Sequence, residues 1–473
     1  MINLNAIITA LTTQQIPPLD VRISGAVIDS RHATEGSLFI ALPGENVNGH
    51  DFVQAAFDRG ASLALVDRDM DPMFNVLDLR QGKFDPAQIE IRPPLCLRVD
   101  DALTALQTAA AYWRRQHDLL VIGITGSVGK TSTKEITSDL LAQKFTVLKN
   151  PGNRNNEIGL PLTLLELGEE HDCAVLEMGF YVPGEIKLLC EIAQPQIGVV
   201  TNIGTVHAER AGSQEVIARG KMELVQSLPP APQGTAVLNR DDPWVLTMFG
   251  NTDARVLSYG VKDSADLTAS QIESQGLDGI SCLMTYQGEE HAIRSPLIGD
   301  FSAYTLLRAA AVGLTAGLDW QTIERGLSQS QVDLRMRRLL LSDGVTVIDD
   351  TYNASPVSTN AALALLKSLQ SRRVAILGDM LELGQYEESG HRSVGRTAAE
   401  AADVLILVGE RSKITAAAAV EAGAPEENIQ WFPDSTAAAL PAAALIRTGD
   451  VVLVKGSNSM RMDHIIAALK ERD

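Results

Sequence analysis

Short apolar runs alternate with amphipathic stretches along most of the chain. In the first hundred residues the runs predict short strands, at residues 25–29, 37–41, 62–67 and 95–99. An amphipathic stretch at 52–59 predicts a helix. The segment 70–94 is rich in Asp, Pro and Gln, so we expect a long loop or insertion there. Together these features predict a small α/β domain over residues 1–100.

The same alternation continues with longer apolar runs. A helical pattern at 103–115 leads into runs typical of buried parallel strands, at residues 119–125, 173–176, 197–201 and 235–238. Helical patterns separate these runs, which is the signature of a doubly wound sheet. We therefore predict a central domain over residues 101–330.

The last part of the chain repeats the pattern. Its predicted strands lie at residues 346–348, 373–377, 404–408 and 451–454. An alanine-rich stretch at 437–444 stands where a crossover helix is needed. This order predicts a Rossmann-like domain over residues 331–473.

Composition narrows the possible functions. The chain has 473 residues, which suggests about three domains. Its net charge of -19 argues against nucleic-acid binding, but a few local cations can still hold a small anionic substrate. The four cysteines are widely separated, which fits a reducing cytoplasm. Neither a signal peptide nor an apolar run of about 20 residues is evident, so we expect an unprocessed, soluble cytoplasmic monomer.

A glycine-rich segment, T-G-S-V-G-K-T-S at 125–132, lies between a predicted strand and a predicted helix. Backbone N–H groups of such a loop close around phosphate oxygens, Lys130 can reach the β- and γ-phosphates, and the Thr131 hydroxyl can ligate Mg²⁺. The predicted nucleotide-binding residues are Gly126, Ser127, Gly129, Lys130, Thr131 and Ser132. Because Ile124 replaces the first glycine of the general pattern, a glycine-rich turn with a surface lysine is the alternative.

Two further polar residues follow predicted strands. Glu177 ends the strand at 173–176, and His207 follows the strand at 197–201. The carboxyl ends of parallel strands meet at one rim, so Thr131, Glu177 and His207 could form a Mg²⁺ site. The alternative is that Glu177 is a solvated residue at a strand end and His207 an ordinary loop residue.

These motifs resemble those of the Mur ligase family. The phosphate loop is similar to the family's nucleotide loop, and N-P-G-N-R-N-N-E-I-G-L-P-L-T at 150–163 resembles the signature of members that add D-alanyl-D-alanine. Further matching segments are D-S-R at 29–31, P-G-E-N-V-N-G-H-D-F at 43–52, D-D-T-Y-N-A-S-P at 349–356, G-D-M-L-E-L-G at 378–384 and K-G-S at 455–457. The resemblance thus covers nearly the whole chain.

The resemblance implies a three-domain α/β architecture, with a central P-loop domain between a UDP-sugar domain and a C-terminal Rossmann-like domain. It implies an ATP-dependent ligase of peptidoglycan synthesis that joins D-alanyl-D-alanine to UDP-N-acetylmuramoyl-tripeptide through an acyl phosphate. The cofactors expected are ATP and one or two Mg²⁺ ions. Closure of the third domain over the second would require a hinge, which we expect near Val332.

The resemblance also implies roles for single residues. Lys221 stands where the family has a lysine that becomes a carbamate and helps to hold metal, so Lys130, Lys221 and His207 are the expected catalytic residues. Glu177 joins Thr131, His207 and Lys221 as a metal ligand. Arg335 and Asp350 are expected at the nucleotide. The expected substrate-binding residues are Ser30, Arg31, Asn155, Asn156, Asn353 and Lys455.

The chain departs from the family pattern at several positions. Ser302 and Thr305 replace two asparagines that would help to hold the adenine nucleotide, so no adenine contact is assigned. Asn48 and Ser355 are smaller departures. Three alternatives stay open: a sister ligase acting on folate or on another step of peptidoglycan assembly, a nucleotide-dependent switch, and a paralogue that binds without ligating.

Overall fold

The computed structural model describes residues 2–12, 14, 21, 23–44, 47–80, 92–206, 208–262, 264–330 and 336–472. Three predicted positions, His207, Arg335 and the hinge at Val332, lie outside the described residues. The chain forms two compact units. The first comprises Met1–Gly123, Lys144–Gly179 and Gly184–Gln196, and the second comprises Ile124–Gln143, Phe180–Pro183 and Ile197–Asp473.

The first unit begins with a parallel sheet of strand order β1-β2-β3-β5-β4. Its strands are β1 (Ala26–Val27), β2 (Leu38–Ile40), β3 (Leu63–Val66), β4 (Val76–Asp78) and β5 (Leu95–Arg98). Helix α2 (Val53–Asp58) packs on one face through Val53 and Ala56, against Phe39 and Ala64. Strand β4 lies inside the segment 70–94, for which we expected a long loop or insertion, and pairs with β5.

The rest of the first unit contains strands in the order β6-β8-β7 and the helices around them. The strands are β6 (Leu120–Thr125), β7 (Val147–Lys149) and β8 (Cys173–Glu177). The helices are α1 (Leu4–Thr12), α3 (Ala102–Arg115), α5 (Gly159–Leu164) and α6 (Glu185–Ala193). Asp101 starts α3 by accepting a hydrogen bond from the Thr104 backbone N–H. The last two residues of β6 belong to the second unit.

The second unit continues from β6 in the order β9-β10-β11-β12-β13-β14. The strands are β9 (Ile197–Val200), β10 (Thr235–Asn239), β11 (Arg255–Gly260), β12 (Leu267–Ser274), β13 (Ile280–Tyr286) and β14 (Glu289–Ser295). The pairs from β9 to β12 are parallel, whereas β12-β13-β14 is antiparallel. Among its helices are α4 (Lys130–Leu141), α7 (Ala208–Ala211), α8 (Gln214–Gln226), α9 (Pro243–Leu246), α10 (Ser302–Thr315) and α11 (Trp320–Gln329).

The second unit also contains a sheet of order β15-β16-β20-β17-β18-β19, parallel except for β15. Its strands are β15 (Arg337–Leu340), β16 (Thr346–Asp350), β17 (Arg373–Gly378), β18 (Val404–Val408), β19 (Ile429–Phe432) and β20 (Val451–Lys455). Helices α12 (Pro356–Ser368), α13 (Glu387–Ala401), α14 (Ser412–Glu421), α15 (Ser435–Leu445) and α16 (Asp463–Glu471) alternate with them. Separate apolar clusters cover the two faces, one around Val452 and Val454 and the other around Ile348 and Leu453.

The architecture is α/β, as predicted, and the predicted strands recur within one or two residues of their expected bounds. The division at residues 100 and 330 stays a prediction. The described helices all fall short of the length and apolar character that a bilayer-spanning segment needs. All four cysteines are buried, and none of the four forms a disulfide.

Candidate active site

The phosphate loop has the predicted strand-loop-helix form. Strand β6 ends at Thr125 and α4 begins at Lys130, with Gly129 as its N-cap at φ 88°. Gly126 has φ 142°, and a Cβ added there would lie 1.8 Å from Thr201 Oγ1. Both positions therefore require glycine, because a side chain would be strained at Gly129 and would also collide with Thr201 at Gly126.

The loop is held by Asn202, which follows β9. The Asn202 backbone carbonyl accepts from Ser127 N at 2.9 Å, and its side chain exchanges two hydrogen bonds with the Val128 backbone at 3.0 and 2.9 Å. Ser127 Oγ in turn accepts from Gly204 N at 2.8 Å. These bonds fix the loop before any ligand binds. The sequence analysis missed Asn202, although its place directly after a buried strand was the signal.

Two lysines approach the loop from different helices. Lys130 Nζ donates to Gly126 O at 2.9 Å, and Lys221 Nζ, from α8, donates to the same oxygen at 3.0 Å. The Lys221 amine is buried and also lies 4.9 Å from the centroid of the Phe180 ring. Gly220 makes room for that ring, since a Cβ there would lie 2.0 Å from it. The structure thus brings Lys130, Lys221 and Gly126 together, and the two cations make the loop attractive to phosphate.

A cavity of about 1100 Å³ opens beside the loop within the second unit. One side is formed by residues 127–132 of the loop and α4. The other side includes Asp350, Asn353 and Lys455. Lys455 Nζ donates to Asp350 Oδ2 at 2.6 Å and to the Asn353 carbonyl at 2.8 Å. The structure therefore gathers the predicted nucleotide loop and three predicted C-terminal residues around one space of a size typical of ligand sites.

Helix α10 forms a further wall of this cavity. Ser302 and Thr305, the two departures from the family pattern, both line it. Ser302 Oγ donates to the Ile298 carbonyl at 2.7 Å, so the serine closes its own helix turn. Tyr304 donates to Asp241 Oδ2 at 2.9 Å. Burial, together with that carboxylate, raises the pKa of Tyr304 well above its usual range, so the hydroxyl stays protonated.

Glu177 is buried at the end of β8 in the first unit. Its Oε1 accepts from Asn155 Nδ2 at 2.8 Å. Asn150 bonds the Glu177 backbone in both directions, accepting from N and donating to O, each at 2.9 Å. The asparagine-rich segment therefore orients the carboxylate, which gives Asn155 a structural contact with a predicted metal ligand.

A smaller cavity of about 220 Å³ lies within the first unit. Its lining combines Asp29 and His32 with residues of the asparagine-rich segment, including Asn153, Arg154 and Asn156. Asn156 Oδ1 accepts from Gly159 N at 2.9 Å at the start of α5. The cavity thus joins two segments that the sequence analysis assigned to substrate, although they are more than a hundred residues apart.

Ser30 and Arg31 lie in the sequence between Asp29 and His32, two residues that line the smaller cavity. Arg31 is exposed and forms an ion pair with Asp29 at 2.6 Å. That hydrogen-bonded guanidinium lowers the pKa of the Asp29 carboxyl far below its usual value. Ser30 is buried.

The donor set available to a cation is mainly oxygen. In the second unit the Thr131 hydroxyl is a donor of the type that Mg²⁺ prefers, whereas Lys221 could serve only after its amine had become a carbamate; the first unit, taken by itself, offers the buried Glu177 carboxylate. Among the described residues, no three acidic, histidine or cysteine side chains cluster as a ready-made metal site.

Models of Mur ligase domains match most of the chain. The Mur ligase family catalytic domain matches residues 22–78, the Mur ligase middle domain matches 124–313, and the Mur ligase glutamate ligase domain matches 334–458. The chain is 36% identical to the UDP-N-acetylmuramoyl-tripeptide--D-alanyl-D-alanine ligase of Synechocystis sp., over 95% of this chain and 92% of that one. It is 32% identical to the ligase of the same name from Bacillus subtilis, over 95% and 93%.

Solved structures give the same result. MurF from Acinetobacter baumannii is 30% identical, with a TM-score of 0.84 over 99% of this chain and 98% of that one. MurF ligase from Thermotoga maritima, solved in complex with ADP, is 25% identical with a TM-score of 0.80, over 96% and 99%. The similarity therefore covers essentially the full length in both sequence and fold.

Proposed function

The chain belongs to the Mur ligase family, and we propose that it joins D-alanyl-D-alanine to UDP-N-acetylmuramoyl-tripeptide at the expense of ATP. The products are UDP-N-acetylmuramoyl-pentapeptide, ADP and phosphate, a step of peptidoglycan precursor synthesis. The observation that carries this assignment is the full-length similarity to ligases of that name, at 36% identity over 95% of the chain.

The geometry of the larger cavity supports this chemistry. In the proposed reaction, the terminal carboxylate of the tripeptide attacks the γ-phosphorus of ATP and ADP leaves, which gives an acyl phosphate. The amine of D-alanyl-D-alanine then attacks the acyl carbon, phosphate leaves, and the amine loses a proton. Lys130 spreads the charge of the transferred phosphoryl group, while the loop amides hold the nucleotide in line.

The C-terminal residues of the cavity are proposed to serve the other reactants. Asp350 and Arg335 are assigned to the nucleotide, and Asn353 and Lys455 to the incoming dipeptide. In support, Asp350, Asn353 and Lys455 share one hydrogen-bonded cluster on the cavity wall. We further propose a hinge near Val332, because the reaction needs the third predicted domain, residues 331–473, to close over the second, residues 101–330.

The UDP-sugar is proposed to bind in the first unit. Ser30, Arg31, Asn155 and Asn156 are the assigned residues, and Asn156 lines the 220 Å³ cavity there. Arg31 would exchange its ion pair with Asp29 for the substrate pyrophosphate. The four cysteine thiols, none of them in a disulfide, and the nucleotide substrates support a cytoplasmic location.

Mg²⁺ is proposed as the second cofactor beside ATP. Thr131, Glu177, His207 and a carbamate on Lys221 would hold it, and the ion would neutralise charge on the β- and γ-phosphates. Burial of Lys221 supports this part of the proposal, because a carbamate there would be shielded from water. Intact-mass measurement under bicarbonate, with Lys221→Arg as the control, tests whether this lysine takes up CO₂.

Phosphate release tests the main proposal. Purified protein is given ATP and UDP-N-acetylmuramoyl-tripeptide, with and without D-alanyl-D-alanine, and the product is weighed by mass spectrometry. We expect release that depends on the dipeptide, with a UDP-pentapeptide product. Release that is independent of the dipeptide, or activity with a folate substrate instead, would contradict the assignment.

A further inference from the structure

A buried arginine stands on the wall of the nucleotide cavity. Arg308 lies in the middle of α10, in the otherwise apolar run at 306–312, and only 3% of it is exposed. Its guanidinium nevertheless lines the larger cavity. A charged group in such a position is expensive to bury and needs partners of its own.

The partners within the protein are neutral. Arg308 Nε donates to Thr133 Oγ1 at 2.7 Å, and Nη2 donates to Thr305 Oγ1 at 2.8 Å. Its Cζ lies 5.9 Å from the centroid of the Tyr259 ring. Within the part of the chain that the structure describes, no carboxylate forms an ion pair with Arg308. These bonds use two of the five N–H donors of the guanidinium.

The two hydroxyls come from different helices, Thr133 from α4 and Thr305 from α10. The Thr133 hydroxyl donates to the Gly129 carbonyl at 2.7 Å, one turn along α4 from the loop. A Cβ added at Gly129 would lie 3.0 Å from Arg308 Nη2. The guanidinium therefore stands against the last residue of the loop, where the N-terminus of α4 begins.

We propose that Arg308 binds the α- and β-phosphates of the nucleotide, beside Gly129 at the start of α4. This rests on the proposed ATP-dependent function. The hydroxyls of Thr133 and Thr305 fix the orientation of the guanidinium, and its remaining N–H groups donate hydrogen bonds to the phosphate oxygens. The anionic ligand then supplies the countercharge that the hydroxyls do not.

Paired binding measurements test this role. The dissociation constants of ADP and adenosine are measured for the wild-type protein, Arg308→Gln and Arg308→Lys, with adenosine assayed by competition against ADP. We expect Arg308→Gln to weaken ADP about ten- to a hundredfold and adenosine hardly at all. Arg308→Lys keeps the positive charge but loses the planar guanidinium, so its affinity for ADP should lie between that of the wild-type protein and that of Arg308→Gln.

The ratio of the two constants separates contact from folding. Both nucleotides meet the same folded fraction, so a destabilised variant changes each constant equally and leaves the ratio unchanged. Arg325→Gln, an exposed arginine of α11, is the matched control and should keep the wild-type ratio. Equal weakening of ADP and adenosine in Arg308→Gln would overturn the proposal while leaving the ATP site intact. A wild-type protein that bound no ADP would instead overturn the proposed function itself.

Discussion

Two buried cations line the same cavity and are balanced in different ways. Lys455 is 2% exposed and pairs with the Asp350 carboxylate at 2.6 Å. Arg308 is 3% exposed, donates hydrogen bonds to the hydroxyls of Thr133 and Thr305 and, among the described residues, forms no ion pair with a carboxylate. The charge of Lys455 is thus neutralised by a carboxylate, whereas the charge of Arg308 is hydrogen-bonded by neutral hydroxyls. We infer that the wall near the phosphate loop keeps positive charge for a ligand, whereas the charge of Lys455 is already balanced by Asp350 before a substrate binds.

Removing Lys455 should have the largest effect on stability. Lys455→Met leaves Asp350 without its ammonium partner, so we expect the free energy of unfolding to fall by about 3 kcal/mol. Urea unfolding of the protein without ligand measures it. The double variant Lys455→Met with Asp350→Leu removes both charges and should regain most of the loss.

An exposed pair provides the control for that cycle. Lys367 and Glu400 lie 2.8 Å apart, but their side chains are 53% and 69% exposed. Lys367→Met should therefore cost less than about 1 kcal/mol. If Lys455→Met lowered the free energy of unfolding by no more than Lys367→Met does, then the pairing of Lys455 with Asp350 would not stabilise the protein as we expect.

Removing Lys130 tests, through the catalytic rate, whether the positive charge near the phosphate loop acts on a ligand. Lys130→Met deletes a cation that we assign to the β- and γ-phosphates, so kcat should fall by roughly 10²- to 10³-fold. Dipeptide-dependent phosphate release measures it. Lys144→Met, an exposed lysine just beyond α4, should leave the rate unchanged. A Lys130→Met enzyme with normal kcat would show that the loop cation does not act on the transferred phosphoryl group.

Arg308 should matter less to the free protein than Lys455. Arg308→Met removes the donor that the hydroxyls of Thr133 and Thr305 accept from, but it leaves no unpaired carboxylate behind. We therefore expect a loss of about 1–2 kcal/mol in the free energy of unfolding. The same urea experiment, repeated with saturating ADP, should show a wider gap between variant and wild type. A loss equal to that of Lys455→Met in the free protein would mean that Arg308 is already balanced by the fold.

The local parts of this picture were visible in the sequence. The segment 119–132 reads as strand, loop and helix because its apolar run, glycines and Lys130 are neighbours in the chain. The asparagine-rich segment was also recognised, but its bond to Glu177 depends on residues 22 positions apart and on the buried end of β8. Sequence gives such motifs, whereas the fold decides which of them meet.

Other features were missed for physical reasons. Strands β13 and β14 form an antiparallel hairpin in which Ile280, Cys282 and Met284 alternate inward, a period-two signal that was present but weak beside the longer apolar runs. Arg308 belongs to no motif. Its only sequence signal is a single charge within an apolar helix, and its meaning depends on Thr133, 175 residues away.

A third way to bury an ionisable group is to keep it neutral, and His391 should show the smallest effect. Burial lowers the pKa of His391 below its ordinary value of 6.5, with Asp379 and Glu387 offsetting part of the shift. Its Nδ1 lies 2.9 Å from Thr415 Oγ1. The folded state therefore holds a neutral ring while the unfolded chain takes up a proton below about pH 6.5.

The sign of the pH dependence follows from that difference. The contribution is fully present above the unfolded pKa and is lost as pH falls from about 6.5 towards the lower folded pKa, by at most about 1.4 kcal/mol per pH unit. His391→Gln should flatten the stability profile between pH 7 and 5, measured by urea unfolding. Because burial also lowers the pKa of His50, part of the slope should survive in His391→Gln. An unchanged slope would mean that the C-terminal sheet relieves the buried ring by admitting water or a proton, and that burial alone does not keep this group neutral.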